Sequence, residues 1–446
     1  MVPRTRLLVC VALVVLPLGI AIAVTPAVLP LFLAAIGALA IAAAIDAAMS
    51  MRFIEAISIK LPAVLRLSKD RSARLPLQFR NDAAVNLTQL RIGLPWPRGI
   101  DADKDELTVS LPAVGEQSQI EWDCTPRRRG RYVLDRLFVE APSRFGLWAI
   151  RKALPVASEI RVYPNLLSER RAVAALFLNR GTFGAHKQRQ VGKGREFEKL
   201  REYIAGDAVD DIHWKASAKR GHPVTKVFQI ERTQEVYVVV DASRLSGRIV
   251  PGQAGDRQDS TLERFIVAAL ILGLAAEQQG DLFGLLAFSD RIESFLPARN
   301  GKQHYNACRD ALYTLQPRSL SPDFEDVMSC IRLRLRRRAL VVFLTALDDE
   351  VLAEQFARSV ELIARQHVVL VNMVQPPGVK PLFSDPGLAS VDDLYDRLAA
   401  HLRWHKLREL QKVLQRRGVQ FTMLPNENLS TELISQYMNV RQRQML

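Results

Sequence analysis

A chain of 446 residues is too long for one hydrophobic core, so two or three domains are expected. Its 61 Lys and Arg against 47 Asp and Glu leave a net charge of +14 and a pI near 9.9, which calls for an anionic partner, either nucleic acid or an anionic membrane face. The four cysteines (Cys10, Cys124, Cys308, Cys330) are scattered without CxxC spacing, which argues against a zinc site or a disulfide scaffold and suits a reducing compartment.

The N-terminus decides between the two anionic partners. From Leu7 to Ile45 no residue is charged, enough apolar chain for two spans at about 20 residues each. The break falls at Thr25-Pro26-Ala27-Val28-Leu29-Pro30, where two prolines interrupt helical hydrogen bonding. Spans are read over 7–24 and 28–45, a membrane hairpin. A cleaved signal peptide would use Arg4 and Arg6 as its charged start, but it leaves the second apolar stretch without a role. Arg4 and Arg6 precede the hairpin while Arg52 and Lys60 follow it, so the positive-inside rule places the N-terminus and the large remainder on the cytoplasmic side. The basic surface then faces membrane lipid, and no nucleic acid is expected.

Residues 51–165 read as a β-rich domain. LPLQFRN, LTQLRIGLP, ELTVSLPAV and QIEWDC alternate apolar and polar residues between turn-forming Asn, Pro, Gly and Asp, the mark of a small β-sandwich or barrel. Arg127, Arg128 and Arg129 before Gly130 are either a phosphate or lipid patch or a solvated turn leading into YVLDRLFVEA. Residues 166–232 read as a linker that carries an unusual run, GREFEKLREYIAGDAVDDIHWKASAKRGHPVTKVF, from 194 to 228. From 233 to 446 strand and helix alternate. VYVVVDAS is a continuous β-branched run, as in a strand buried on both faces, followed by helix STLERFIVAALILGLAAEQQG with Ser260 as cap and Gly280 as stop. Strands DLFGLLAFS, ALVVFLTAL, HVVLVNMV and VQFTML, and helices FEDVMSCIRLRLRRR, EVLAEQFARSVELIARQ and one over about 390–417, complete an open parallel sheet covered on both faces. Ligands of such sheets bind beyond the carboxyl ends of the strands, here 241–243 and 345–349.

No P-loop, GxGxxG, GxSxG or HExxH is present, so an enzyme is not expected. Asp241 and Ser243 end the first buried strand as they do in von Willebrand factor type A domains, where Asp-x-Ser-x-Ser and a later aspartate hold Mg²⁺ through hard oxygens. Here Leu245 stands in the second serine slot and Ala346 in the place of the later aspartate, with Ser321 as the loop hydroxyl. A metal site would rest on Asp241 and Ser243, with Ser321 in reserve, so no cofactor is expected unless this incomplete set holds Mg²⁺. In the 194–228 run, Asp207, Asp210, Asp211 and His213 have the donor types of a hydrolytic metal site or an acid–base pair. No second cluster of ligands appears elsewhere in the sequence, and capping of the helix WKASAKRG explains these residues, with Trp214 packed on the core and Lys215, Lys219 and Arg220 on the polar side. Arg201 is the natural partner of Asp207 or Asp210.

Taken in order, Gly194-Arg195-Glu196-Phe197, Leu200-Arg201-Glu202-Tyr203, Gly206-Asp207 and Ile212-His213-Trp214-Lys215-Ala216-Ser217-Ala218-Lys219 resemble the signature of the domain-of-unknown-function 58 family. Arg129-Gly130-Arg131-Tyr132, Phe145-Gly146-Leu147 and Val162-Tyr163-Pro164 resemble stretches that precede it in such proteins. Two slots depart from the pattern: Ser143-Arg144 stand where Asp-Pro is common, and His213 where Asp or Asn is common. The resemblance implies a bacterial membrane protein with a type A-like cytoplasmic domain, encoded beside a MoxR-type AAA+ ATPase that would be its partner.

The fold expected is therefore α/β: two N-terminal transmembrane helices (1–50), a small β-sandwich-like domain (51–165), a signature-bearing linker (166–232) and a type A-like doubly wound sheet with a helical C-terminal part (233–446). The function expected is a noncatalytic adaptor or scaffold in the bacterial inner membrane, multi-pass, docking an ATPase or a client through Arg201, Glu202, Tyr203, Asp207, Trp214 and Lys215. The rival readings are a metal-dependent hydrolase built on Asp207, Asp210, Asp211 and His213, and a nucleic-acid-binding protein using the basic helix over 331–338.

Overall fold

The computed structural model describes residues 1–50, 57–81, 89–111, 113, 116–179, 191–204, 208–229, 233–251, 258–382, 384 and 391–443. Two compact units divide the chain, Met1–Asn165 and Leu166–Leu446.

The first unit opens with strand β1 (Val2–Pro3) and helices α1 (Thr5–Val24) and α2 (Leu29–Ser50), joined by a 3₁₀ turn over Pro26–Val28. Both helices are long and apolar enough to cross a membrane. The second runs five residues beyond the expected end at 45, because Asp46 and Ser50, polar and buried, find partners in a loop of the β domain. Of the expected basic flank, Arg52 lies outside the described residues.

The β domain contains β2 (Ile57–Lys60), β3 (Val64–Ser68), β4 (Ala73–Asn81), β5 (Leu90–Gly93), β6 (Ile100–Ala102), β7 (Glu106–Val109), β8 (Gln117–Pro126), β9 (Gly130–Pro142) and β10 (Trp148–Tyr163). One sheet has the order β1-β10-β9-β5-β7, with β3 also on β10; the other has β2-β4-β8-β6. Alternation drives the packing: Leu75, Leu77 and Phe79 of β4 are buried, whereas Arg74, Gln78 and Arg80 between them are exposed. They share one core with Ile92, Trp122, Leu137, Val139 and Ile160, so the two sheets form the expected sandwich. Trp122 donates from Nε1 to the Lys104 carbonyl at 3.0 Å and meets Trp96 edge-on.

The arginine run 127–129 is a structured turn at the far end of β9 from the loop that holds α2. Thirteen residues at about 3.3 Å each separate the two by roughly 40 Å. Arg127 bonds Asp101 at 2.7 Å and lies 3.6 Å from Asp70, Arg129 is buried, and the Arg128 carbonyl accepts from Tyr132. The run is thus a turn leading into β9, with Arg127 paired, Arg128 exposed and Arg129 buried.

The second unit begins with α3 (Leu167–Asn179), a helix within the segment expected as linker, then β11 (Val191–Glu202), α4 (Trp214–Arg220) and β12 (Val224–Gln229). Thereafter come β13 (Glu235–Asp241), β14 (Ile249–Pro251), β15 (Gln258–Ser260), α5 (Thr261–Gln278), β16 (Leu282–Phe288), β17 (Ile292–Arg299), α6 (Lys302–Leu312), α7 (Phe324–Arg334), β18 (Leu340–Leu344), α8 (Glu350–Ser359), α9 (Glu361–Ala364), β19 (Val368–Val374), α10 (Val391–Arg416), β20 (Val419–Leu424) and α11 (Leu429–Gln442). The main sheet has the order β17-β16-β13-β18-β19-β20, parallel except for β17. Alternate residues of β13 serve two cores: Val236, Val238 and Val240 face α5, α6 and α11, while Tyr237 and Val239 face α7, α8 and α10. This is the doubly wound sheet expected for a type A-like domain. Gly273 of α5 permits the close layer, since a Cβ there would meet the Phe283 ring at 2.8 Å.

Two helices are shorter than their patterns imply. The basic helix stops at Arg334, because Leu335 leaves the helical path and buries beside Ile331, placing Arg336, Arg337 and Arg338 in an exposed loop. The run from Glu350 divides at Val360 into α8 and α9.

Buried polar bonds lock the outer helices. Arg264 of α5 donates from Nε to Asn426 Oδ1 at 2.8 Å and from Nη2 to the Asn426 carbonyl at 2.7 Å and to Glu169 of α3 at 3.2 Å. Asp281, before β16, accepts from Tyr437 of α11 and from the Gln234 N–H. Glu169→Ala would leave the Arg264 guanidinium buried without its carboxylate, and a loss of about 3 kcal/mol is expected in thermal melts of the detergent-solubilised chain.

Candidate functional site

Two places in the second unit concentrate polar side chains. The first is the carboxyl end of β13, where neighbouring strands lead off to either side. Asp241 is fully buried there. Its Oδ1 accepts from the Ser243 N–H at 2.8 Å and its Oδ2 from the Thr345 hydroxyl at 2.6 Å. Burial pushes the carboxyl above its ordinary value, and the bonds from Thr345 and Ser243 oppose that rise. Ser243 caps a 3₁₀ turn over Arg244–Gly247, its Oγ accepting from the Leu245 N–H, while Leu245 itself fills the core.

Arginines surround this end. Arg244 donates from Nε to Ser321 Oγ at 3.2 Å and from Nη2 to Asp349 at 3.1 Å, and Arg248 pairs with Asp348. Asp349 also caps α8; the N–H of Leu352, with that of Val351 and with Arg244, holds its carboxyl below the usual range. Backbone bonds close the ring, from Arg244 N to the Leu320 carbonyl and from Arg318 N to the Ala242 carbonyl.

These residues do not fit the Mg²⁺ of a type A domain. Both oxygens of Asp241 are committed within the protein, Leu245 and Ala346 are buried apolar side chains without a donor oxygen, and the Ser321 hydroxyl already accepts from a guanidinium. The positive charge at this strand end belongs to Arg244 and Arg248. Sequence inspection singled out 241–243 and 345–349 but missed these two arginines, since nothing in their spacing reveals partners about a hundred residues away.

The second place is the signature segment, a local module. Strands β11 and β12 pair as a hairpin, Tyr203 N–H donates to the Pro223 carbonyl, and Ile212 bridges Thr225. His213 is the cap of α4: its Nδ1 accepts from the Ala216 N–H at 3.1 Å while its own N–H donates to the Val224 carbonyl at 2.8 Å. The Ser217 hydroxyl donates to the His213 carbonyl and accepts from the Val224 N–H. Gly221 closes the helix at φ +73°, with Lys219 and Arg220 at its negative end.

Asp207 lies outside the described residues. Of the other residues expected to dock or react, Glu202, Asp210 and Lys215 are exposed, Arg201, Tyr203 and Asp211 are half-buried, and His222 stands 3.4 Å from Glu202. Among the described residues no group of three or more His, Cys, Asp or Glu is gathered for a metal, so Asp210, Asp211 and His213 are not brought together as a hydrolytic centre. Trp214 corrects an expectation: it is 68% exposed instead of packed on the core. The helix it starts is only seven residues long, and Ala216 and Ser217 form its more buried side. Val209 and Ile204 are exposed by 63% and 61%.

Thr345→Val would leave the buried Asp241 one hydrogen bond short and is expected to cost about 2 kcal/mol in melts. Because the folded carboxyl titrates above its ordinary 3.8, the native state holds the proton longer than the unfolded chain. Its contribution is greatest at low pH and is lost as pH rises through the folded value. Asp241→Asn should therefore make stability fall less steeply from pH 4 upward, and Mg²⁺ or a chelator should leave the melting temperature of either form unchanged.

Residues 199–393 match the family model described as "Protein of unknown function DUF58". Uncharacterized proteins Rv1480 of Mycobacterium tuberculosis and Mb1516 of Mycobacterium bovis are each 26% identical over 197 residues, 44% of this chain; the match spans only 59% of their own length. Among solved structures, an aerotolerance-related membrane protein of Bacteroides fragilis aligns over 47% of this chain and 99% of its own, at 16% identity and a TM-score of 0.32. The hypothetical protein BatB of Bacteroides thetaiotaomicron aligns over 46% of this chain and 97% of its own, at 15% identity and a TM-score of 0.31. Residues 199–393, which take in most of the signature module and five of the six strands of the main sheet, are thus similar to DUF58 proteins.

Proposed function

We propose that the protein is a noncatalytic, membrane-anchored adaptor whose signature module is the docking face. One observation carries this reading. Ile204, Val209 and Trp214 are large, exposed apolar side chains on a module whose His213 and Ser217 bond within its own fold. Exposed aromatic side chains beside cationic ones, here Lys215 and Lys219, are the usual anchors of protein interfaces. His213 works as a cap and Asp241 as a buried strut, so neither offers a free acid or base.

In this reading the hairpin α1–α2 spans the bacterial inner membrane, with the remainder cytoplasmic, as the basic flanks Arg4, Arg6 and Lys60 favour. The partner is an AAA+ ATPase of the MoxR type, which would supply the nucleotide chemistry for which this chain has no motif. The test is gentle detergent extraction followed by mass spectrometry. An ATPase should co-purify in stoichiometric amount with the wild type and be lost with Trp214→Ala, while the melting temperature stays within the shift of about 0.5 kcal/mol usual for a surface change. His213→Ala should cost about 1 kcal/mol through the lost cap and reduce capture only as far as the module unfolds. Extraction with no ATPase, or capture indifferent to Trp214, would refute the proposal.

A further inference from the structure

The geometry points to a second interaction surface, on the first unit: the loop Ser143–Trp148, with Arg4 and Arg6, is a lipid-contact element in which Phe145 sits at the headgroup boundary and Arg4, Arg6 and Arg144 take anionic phospholipid phosphates. The inference rests on the hairpin spanning the bilayer and is independent of the docking partner.

Depth comes first. The two helices are antiparallel neighbours, so the start of α1 and the end of α2 lie at the same end of the hairpin. From Leu29 to Asp46 an α-helix rises about 26 Å, against a hydrocarbon core of about 30 Å, so Asp46 falls near the edge of the acyl region. The loop is held at that level by five bonds. Asp46 accepts from the Ser143 hydroxyl at 2.6 Å and from the Phe145 N–H at 3.0 Å. Ser50 Oγ accepts from the Arg144 N–H at 3.1 Å, and Trp148 Nε1 donates to the Ala43 carbonyl at 2.9 Å. The Arg4 N–H donates to the Leu147 carbonyl, and β1 pairs with Trp148 and Ala149.

What the clamped loop presents is amphipathic. Phe145 has its backbone tied to α2 yet a side chain 60% exposed. Arg4, Arg6 and Arg144 are exposed around it. The Arg6 guanidinium lies over Gly146, where φ is +74° and a Cβ would approach Nη1 to 3.1 Å. From Pro142 to Trp148 there is no acidic residue, and the one nearby carboxylate on α2, Asp46, is buried in the clamp. An aromatic ring among cations at this depth has the chemistry of the interface, where aromatic side chains and basic residues meet headgroups. The position where the family pattern has Asp-Pro carries Ser143-Arg144, which supplies both the hydroxyl for Asp46 and one of the three cations.

The full chain reconstituted in phosphatidylcholine bilayers, with and without phosphatidylglycerol, tests this. Phe145→Cys in a Cys10→Ala background is labelled with an environment-sensitive fluorophore. Cys124 and Cys308 stay unlabelled because burial pushes their thiols up to about 11 and about 12, and Cys330 is buried as well. The label at 145 should emit to the blue of one placed by Arg128→Cys, be quenched by a lipid spin-labelled near its headgroup and be shielded from iodide. The blue shift should grow with phosphatidylglycerol and shrink in Arg6→Glu/Arg144→Glu. Iodide quenching at 145 equal to that at 128 overturns the proposal, and a shift equal in both lipid compositions overturns the role of the arginines. A label on native Cys10 separates the underlying reading: if Cys10 is lipid-quenched while 145 is wet, only the loop proposal fails. Iodide access at Cys10 would remove the spanning hairpin itself.

Discussion

Asp241 is a carboxylate taken out of water at the point where the main sheet diverges, and the arrangement of the surrounding loops follows from satisfying it. A buried charge without partners is too costly to persist, so both oxygens must be met from within the fold. The Ser243 N–H comes from the turn that follows β13, and the Thr345 hydroxyl from the segment that follows β18. Once those two segments are drawn to one point, Arg244 reaches Ser321 and Asp349, and Arg248 reaches Asp348. Guanidinium groups thus join the three loops that a divalent cation joins in a type A domain with a complete oxygen set. A guanidinium fork is more weakly hydrated than a divalent cation and needs no octahedral geometry, so it can join these loops through N–H donors.

The same economy recurs in the first unit. Asp46, placed by sequence near the end of an apolar helix, is answered by a hydroxyl and an N–H from a loop almost a hundred residues later. The bonds fasten the hairpin to the sandwich and dictate which face of the loop is left outside. In the second unit Arg264 and Glu169 do comparable work, making α3 part of the α/β layer structure. In each case a polar group in an apolar setting imposes one arrangement, because every alternative leaves it unpaired.

The signature segment follows a different logic. Several of its polar residues bond within a stretch of some thirty residues: His213 with Ala216 and Val224, Ser217 with His213 and Val224, and Tyr203 with Pro223. Its large apolar side chains Trp214, Val209 and Ile204 are exposed instead of packed into it. Family resemblance drew attention to this run, and geometry now separates the residues that fold it from those it displays.

Much of this was legible in the sequence where the physics is local. Uncharged chain from Leu7 to Ile45 dictates two long apolar helices, alternation in β4 a half-buried strand, and the β-branched run of β13 a strand buried on both faces, because burial is written in periodicity. The tertiary structure alone decided the rest. Asp241 meets Thr345 across 104 residues, Arg244 meets Asp349 across 105, and Asp46 meets Ser143 across 97. Trp214 faces water although its residue type favours a core. Composition states which groups need partners or burial, but which partner arrives depends on where a whole sheet or sandwich brings distant loops together, and that is a property of the assembled chain.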